Sequence, residues 1–207
     1  MKQVFSTYNF GKRHTLSQVK YCPLCGTKCE TKMDGGRKRP SCPACGYIYY
    51  KNPSPAVSVL IVKNEKVLLG KRAPGSFKEG LWCMPGGFIE FDEDFLTAAR
   101  REVQEETNLN VEIKSIVSVM CNYLTADLHT LVVVLLAHVT DGKLCPGDDI
   151  EEAGWFPLSG PFPKLAFEAD EHIIARYFQN KISGALVDRE FASTQIQVPA
   201  SKLSKEC

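Results

Sequence analysis

Between Gly87 and Leu109 five glutamates crowd around a Gly-Gly step and a stretch with helical spacing, and few backbones tolerate so much like charge. A helix from about Asp94 to Thr107 does. Its ~3.6-residue repeat sets Glu102 four positions from Glu106 and three from Glu105, so all three carboxylates share one face. Leu96, Ala99 and Val103 mark a neighbouring face for a core. Like charges at that spacing repel unless a cation sits among them. The pattern therefore predicts a helix that packs with one face and holds a divalent metal with the other. A solvated acidic face, the common meaning of a charge run, accounts for neither the Gly86-Gly87 step nor the spacing.

Read in order, GFIEFDEDFLTAARREVQEETNL resembles the Nudix box, Gx5Ex7REUxEExGU with U aliphatic, at Gly87, Glu93, Arg101, Glu102, Val103, Glu105, Glu106 and Leu109. Asn108 stands where the family has glycine, at a helix C-terminus where a left-handed backbone is commonly needed and Asn is the next most tolerant residue. The resemblance covers roughly residues 55–180. It implies an α/β fold, the Nudix α/β/α sandwich. It also implies hydrolysis of the pyrophosphate bond in a nucleoside diphosphate linked to another moiety, with Mg2+ or Mn2+ as cofactor and a nucleoside monophosphate as product. Glu105 and Glu106 become metal ligands, and Glu102 a third ligand or the base that orients water. The Gly86 carbonyl is a further ligand on this reading, and Gly87 lets the loop approach metal and phosphate. Arg101 and Glu93 would fix that loop against the helix. Asp148, Asp149, Glu151 and Glu152 are candidates for an additional carboxylate, and each reads equally as a solvated loop acid.

Four of the nine cysteines form two CxxC pairs, Cys22 with Cys25 and Cys42 with Cys45, and Gly26 and Gly46 follow each second cysteine. The two-residue gap lets both thiolates reach one ion, so four thiolates without a histidine partner predict a closed, structural Zn2+ site in a small ribbon over residues 21–50. A redox pair, an iron–sulfur site and a substituting Cys29 are the competing readings. Such grouping is not that of a secreted disulfide framework, and a reducing, cytoplasmic setting follows.

Residues 1–51 hold ten Lys/Arg against Glu30 and Asp34, leaving fifteen against twenty-two in the remainder, or +8 beside −7. A basic module and an acidic one are implied, the first able to attract phosphate and the second cations. Residues 1–20 carry Lys2, Lys12, Arg13 and Lys20 with no acid, which reads as a flexible extension or, alternatively, an organelle transit segment. The longest apolar run, Leu131 to Ala137, suits a buried strand and falls far short of the ~20 residues of a membrane span.

Strands are expected at Ala56–Val62 and Lys66–Lys71 across an Asn64-Glu65 turn, then at Leu81–Met84 leading into the glycine step. After the glutamate helix come strands near Val111–Cys121 and Leu128–Val139, a turn at Asp141-Gly142, a strand at Gly154–Pro157, a helix over Phe167–Gln179, and a tail over 181–207. Lys51–Pro55 reads as a linker.

A zinc ribbon ahead of a Nudix domain is similar to the NADH pyrophosphatases, yet their SQPWPFPxS array is replaced here by SVMCNYL from Ser118. PFPKLAF, from Pro161, is more similar to zinc-ribbon members grouped with FAD and ADP-ribose pyrophosphatases. The partner is thus a small-molecule nucleotide of the FAD, ADP-ribose or NADH type, and a homodimer is compatible with the sequence. Phe162, Phe167 and Tyr123 are open to stacking on a base or to core packing. The alternative is an RNA-end or nucleotide-binding module using the basic ribbon, with Arg37, Lys38 and Arg39 beside Tyr47, Tyr49 and Tyr50.

Overall fold

The computed structural model describes residues 2–7 and 19–187. Its elements run β1 (Val4–Ser6), β2 (Glu30–Asp34), β3 (Arg37–Ser41), β4 (Ser54–Lys63), β5 (Lys66–Arg72), β6 (Trp82–Cys83), α1 (Phe95–Thr107), β7 (Leu109–Tyr123), β8 (His129–Gly142), β9 (Ile150–Pro157), α2 (Glu168–Asn180) and β10 (Ala185–Leu186). Two compact units result, one of residues 2–5, 55–122 and 130–187 and the other of residues 6–7, 19–54 and 123–129.

The larger unit is built on a sheet in the order β1-β7-β8-β4-β5-β6, with β10 added to β7 and β9 to β5. Its central strands are buried on both sides, so alternation along them sorts side chains between two helices instead of between core and water. Val57, Val59 and Ile61 of β4, Leu68 of β5, and Leu135 and Ala137 of β8 pack with Leu96, Ala98, Ala99 and Val103 of α1. The intervening residues Leu60, Val67, Leu69, Val134 and Leu136 pack with Ala169, Ile173 and Ile174 of α2. One helix therefore covers each face. Asn64 and Glu65 both take positive φ, 51° and 56°, as a two-residue hairpin turn requires, and set the register Val62↔Val67.

Several sequence expectations shift. Pro55 lies near the start of β4, where a strand tolerates proline, and is not confined to a linker. Asp141-Gly142 is no turn; both residues continue β8. Gly142 serves a close approach instead, because a Cβ there would sit 2.5 Å from the Asn108 carbonyl oxygen. Val4–Ser6, expected in a loose extension, forms an edge strand on β7 with Phe5 in the core, and Ala185–Leu186 of the expected tail pairs with Ile116 and Ser115. Residues 1, 8–18 and 188–207 of these segments lie outside the described residues.

The smaller unit holds the β2–β3 hairpin, turned at Gly35-Gly36 with Lys32 opposite Arg39 and Asp34 opposite Arg37. Residues 123–129 group with it, although the sequence places them within 55–180. Among its described residues only Cys22, Ser41 and Cys42 are buried, so no apolar cluster holds it. Among all described residues no helix is long and apolar enough to cross a membrane.

Candidate active site and metal centre

Asp94 caps α1, its Oδ1 accepting from the N–H groups of Leu96 and Thr97 at 2.8 and 3.0 Å. At the other end Asn108 adopts φ 58° and ψ 22°, and its N–H closes on the Gln104 carbonyl. Its tolerance of a left-handed backbone is thus used where the box has glycine. Fixed at both ends, the helix buries Glu102, Glu105 and Glu106, which are 8%, 4% and 2% exposed. The acidic face is not a solvated one.

Arg101 organises that face. Its Nε donates to Glu93 Oε2 at 3.0 Å and Nη2 to Glu93 Oε1 at 2.5 Å and to the Phe88 carbonyl at 3.0 Å, while Nη1 reaches Glu102 Oε1 at 2.8 Å and Glu105 Oε2 at 3.1 Å. Those five acceptors match the five N–H groups of a guanidinium, so the side chain ties the loop to the helix with no donor left over. Burial raises the Glu93 carboxyl, but the Arg101 fork outweighs it and leaves the group below its ordinary value.

The Gly86-Gly87 step is held against β4, with the Val59 N–H on the Pro85 carbonyl and the Val57 N–H on the Gly87 carbonyl. Gly86 donates its N–H to Glu106 Oε2 at 2.9 Å. A Cβ on Gly87 would lie 2.5–2.7 Å from the Glu102 carboxyl, and one on Gly86, at φ 151°, would strike the β4 backbone, so neither position has room for a side chain. Burial, then Glu102 nearby, pushes Glu106 well above its ordinary value, and burial likewise raises Glu102.

A second loop hangs from the end of α1: the Cys145 N–H donates to the Thr107 carbonyl and the Gly147 N–H to the Glu106 carbonyl, both at 3.0 Å. Of its acids, Glu151 and Glu152 pair with Lys71 at 2.8 and 2.6 Å, and Asp149 with Arg72 at 2.6 Å. The field of Asp148 reaches Glu102, and that of Asp149 reaches Glu106.

The carboxylates are gathered on one face but not onto one point. Among the described residues, the four cysteines are the one set of three or more His, Cys, Asp or Glu whose ligand atoms all lie within 4.8 Å of one another. Arg101 Nη1 binds both Glu102 and Glu105, while the Gly86 N–H holds Glu106. Three buried carboxylates, with Glu106 far from comfortable as an anion, are nonetheless the oxygen donor set a hard divalent cation takes.

In the smaller unit the two CxxC turns repeat one geometry. The Cys22 and Cys42 N–H groups close on the Thr27 and Tyr47 carbonyls at 2.8 Å, with Gly26 and Gly46 at φ 70° and 77°. Sulfur–sulfur distances are 3.6 Å for Cys22–Cys45, 3.5 Å for Cys25–Cys42 and 3.7 Å for Cys25–Cys45. Tetrahedral zinc with ~2.3 Å bonds sets its sulfurs ~3.8 Å apart, so the cluster fits that ion. The Thr27 hydroxyl and N–H draw the Cys25 thiol down to about 6. Cys29 is outside the set.

A family model for the NUDIX domain matches residues 52–177. The chain belongs to the Nudix family. Among Nudix relatives it is 40% identical over 139 residues to an ADP-ribose pyrophosphatase of Methanocaldococcus jannaschii, covering 65% of this chain and 79% of that protein. It is 31% identical over 141 residues to the NAD-capped RNA hydrolase NudC of Chromobacterium violaceum, covering 67% of this chain and 50% of that one. The chain thus spans about half the length of the NudC relatives it matches. A crystal structure of a Nudix hydrolase from Nitrosomonas europaea superposes with a TM-score of 0.68 at 29% identity, covering 81% of this chain and 94% of that one. The protein is therefore a member of the Nudix hydrolase family.

Two residues near this Nudix site have no signature in the sequence. Arg72 bonds Asp149, donates to the Phe77 carbonyl at 2.5 Å and points Nη1 at the buried Cys83 Sγ, and its charge reaches Glu106. Asp170, in the first turn of α2, is buried and accepts from the Met84 N–H at 3.0 Å. Burial pushes its carboxyl up to about 7, against the opposing pull of the Met84 N–H, Lys78 and Arg72. A folded value above the unfolded one means that the native chain holds an extra proton between about pH 4 and pH 7. Stability is then greatest below that window and falls as pH rises through it, by about 4 kcal/mol in full. Asp170→Asn keeps an acceptor for Met84 and should melt higher than wild type above pH 7, the gap closing towards pH 4. Thermal melts across that range check this, and a gap independent of pH would exclude a buried titrating carboxylate.

Of the aromatics open to stacking, Phe162 and Phe167 are half-buried against the α2 side of the core. Tyr123 meets His129 edge-on at 4.4 Å in the smaller unit.

Proposed function

We propose that this Nudix hydrolase cleaves the pyrophosphate of a dinucleotide-type or nucleotide-sugar-type compound with an ADP half, such as ADP-ribose, FAD or NADH, releasing a nucleoside monophosphate. One observation carries the reading: a buried trio of glutamates on α1, faced by a glycine step without room for a side chain and braced by a saturated arginine. The name of the 40%-identical relative supports ADP-ribose within that class.

Glu105 and Glu106 would hold Mg2+ or Mn2+ together with the Gly86 carbonyl, and Glu102 would be a third ligand or the base. The ion, when bound, neutralises the diphosphate and makes water a better nucleophile. The chain's own part is positional. Burial raises Glu102, which makes it a better proton acceptor than an ordinary carboxylate. Arg101 and Glu93 keep the loop from drifting off α1, and Gly87, having no Cβ, lets the loop lie directly against the Glu102 carboxyl. The ribbon over residues 21–50 would carry one Zn2+ on Cys22, Cys25, Cys42 and Cys45 as a structural element ahead of a catalytic domain over 55–180. A cytoplasmic setting agrees with four thiols kept as a metal site.

A second reading is favoured by the names of the NudC relatives and by the basic hairpin, where the Arg39 guanidinium lies 4.5 Å from the Tyr50 ring centre. On it the substrate is a capped RNA end that the ribbon recruits. Incubating the protein with ADP-ribose, FAD, NADH, diadenosine polyphosphates and NAD-capped RNA, in Mg2+ or Mn2+, separates the two. AMP released from the small ADP compounds at salt-insensitive rates is the expected result. Preferential, salt-sensitive decapping would establish the second reading, and no metal-dependent cleavage of any of them would overturn both.

A further inference from the structure

The loop between β5 and β6 and the start of α2 bring two phenylalanines together near Arg72, which binds the Phe77 carbonyl and whose charge reaches Glu106. Phe77 and Phe167 lie nearly parallel, 23° between planes, with centroids 6.5 Å apart. That spacing is close to twice the ~3.4 Å repeat of stacked bases. Phe167 is half-buried against Cys83, Ile150 and Ala166, whereas Phe77 remains 40% exposed. The Lys78 ammonium donates to the Ala166 carbonyl at 2.5 Å and stands 5.0 Å from the Phe167 ring centre and 5.9 Å from that of Phe77.

Both jaws are fixed. The Phe77 loop is cross-tied by the Gly80 N–H on the Arg72 carbonyl, by the Arg72 Nε on the Phe77 carbonyl and by the Ala73 N–H on the Asp149 carbonyl. The Phe167 jaw begins α2, whose Asp170 holds the Met84 N–H two residues ahead of Gly86. The ring pair is therefore tied through Asp170 to Met84, two residues before Gly86, and through the Ala73 N–H to Asp149 of the acidic loop.

We propose that Phe77 and Phe167, with the Lys78 ammonium 5.9 and 5.0 Å from their ring centres, form the slot that takes the adenine ring of the substrate's ADP half. The assignment rests on the nucleotide reading above. An adenine offers two π faces to the rings and ring-nitrogen acceptors to an ammonium that has three donors and gives one to Ala166. A sugar offers neither face. The slot thus reads the end of the substrate that the diphosphate chemistry leaves unread.

The test is equilibrium binding by calorimetry of AMP and of ribose 5-phosphate, which differ only in the base, to wild type, Phe77→Ala and Phe77→Trp. Wild type should prefer AMP. Phe77→Ala should lose about ten- to a hundredfold in AMP affinity with ribose 5-phosphate unchanged, and Phe77→Trp should restore it. Phe77 is exposed, so all three should melt alike. A wild type without preference for AMP, or a Phe77→Ala protein that binds AMP as wild type does, overturns the slot. Because binding is read without turnover, a protein that keeps the Phe77-dependent preference but cleaves no ADP compound would sink the functional reading alone. Cleavage of ADP-ribose with a KM indifferent to Phe77→Ala would sink the slot alone.

Discussion

Glu106→Gln is expected to lower kcat about a thousandfold and, in metal-free buffer, to raise the melting temperature. The two effects have one cause. Glu106 is 2% exposed, and burial pushes its carboxyl well above the ordinary range, so the native chain binds a proton that the unfolded chain has released. Stability then declines as pH rises from about 4.5 through that raised folded value, and at neutral pH the carboxylate is a liability. Glutamine removes it and keeps an acceptor for the Gly86 N–H, which now sits at 2.9 Å. Added Mg2+ or Mn2+ should reverse the ranking: wild type gains stability by linkage and the variant gains much less. Melts with and without metal, read beside turnover on ADP-ribose, check all three points. A variant that keeps metal-dependent turnover, or one that melts lower than wild type without metal, would remove Glu106 from the ligand set.

Chelating the ribbon metal, or replacing Cys42 by Ser, should abolish folded structure in the smaller unit. Among its described residues the buried ones are Cys22, Ser41 and Cys42, so no apolar core is present to hold the hairpin once the sulfurs lose their ion. Thiolate–zinc binding in such sites contributes about 10–16 kcal/mol, far more than a hairpin of two mostly exposed five-residue strands supplies by itself. Native protein should carry one zinc per chain, and amide exchange in residues 21–50 should become fast on chelation. The central strands β4 and β8 should keep their protection, because the clusters on both of their faces contain no residue of residues 6–54. Slow exchange in the ribbon after complete zinc loss would show that something other than the metal holds it.

What the sequence made legible was local in the chain. The spacing of Glu102, Glu105 and Glu106 dictates a shared helix face whatever surrounds it, and each CxxC with its glycine writes its own turn. Asn64-Glu65 likewise names its hairpin, since both residues must reach positive φ. Arg72 and Asp170 were illegible for the opposite reason. Their partners Asp149 and Met84 lie 77 and 86 positions away, so only the closed sheet brings them together. Asp170 reads as an ordinary first-turn acid until burial and the Met84 N–H are known. Asp141-Gly142 misled because a glycine needed for a close approach to Asn108 spells the same dipeptide as a turn. The short edge strands β1 and β10 carry too few residues for any periodicity to register.

Glu106 accepts the Gly86 N–H with its side chain and the Gly147 N–H with its main chain. The glycine step and the acidic loop therefore share a single pivot, and neither can drift in length or register without disturbing the other. Anyone exchanging the 143–149 segment for that of another protein, to retune what the enzyme accepts, should transplant the last turn of α1 along with it. The practical unit of recombination here is that loop together with its helical anchor.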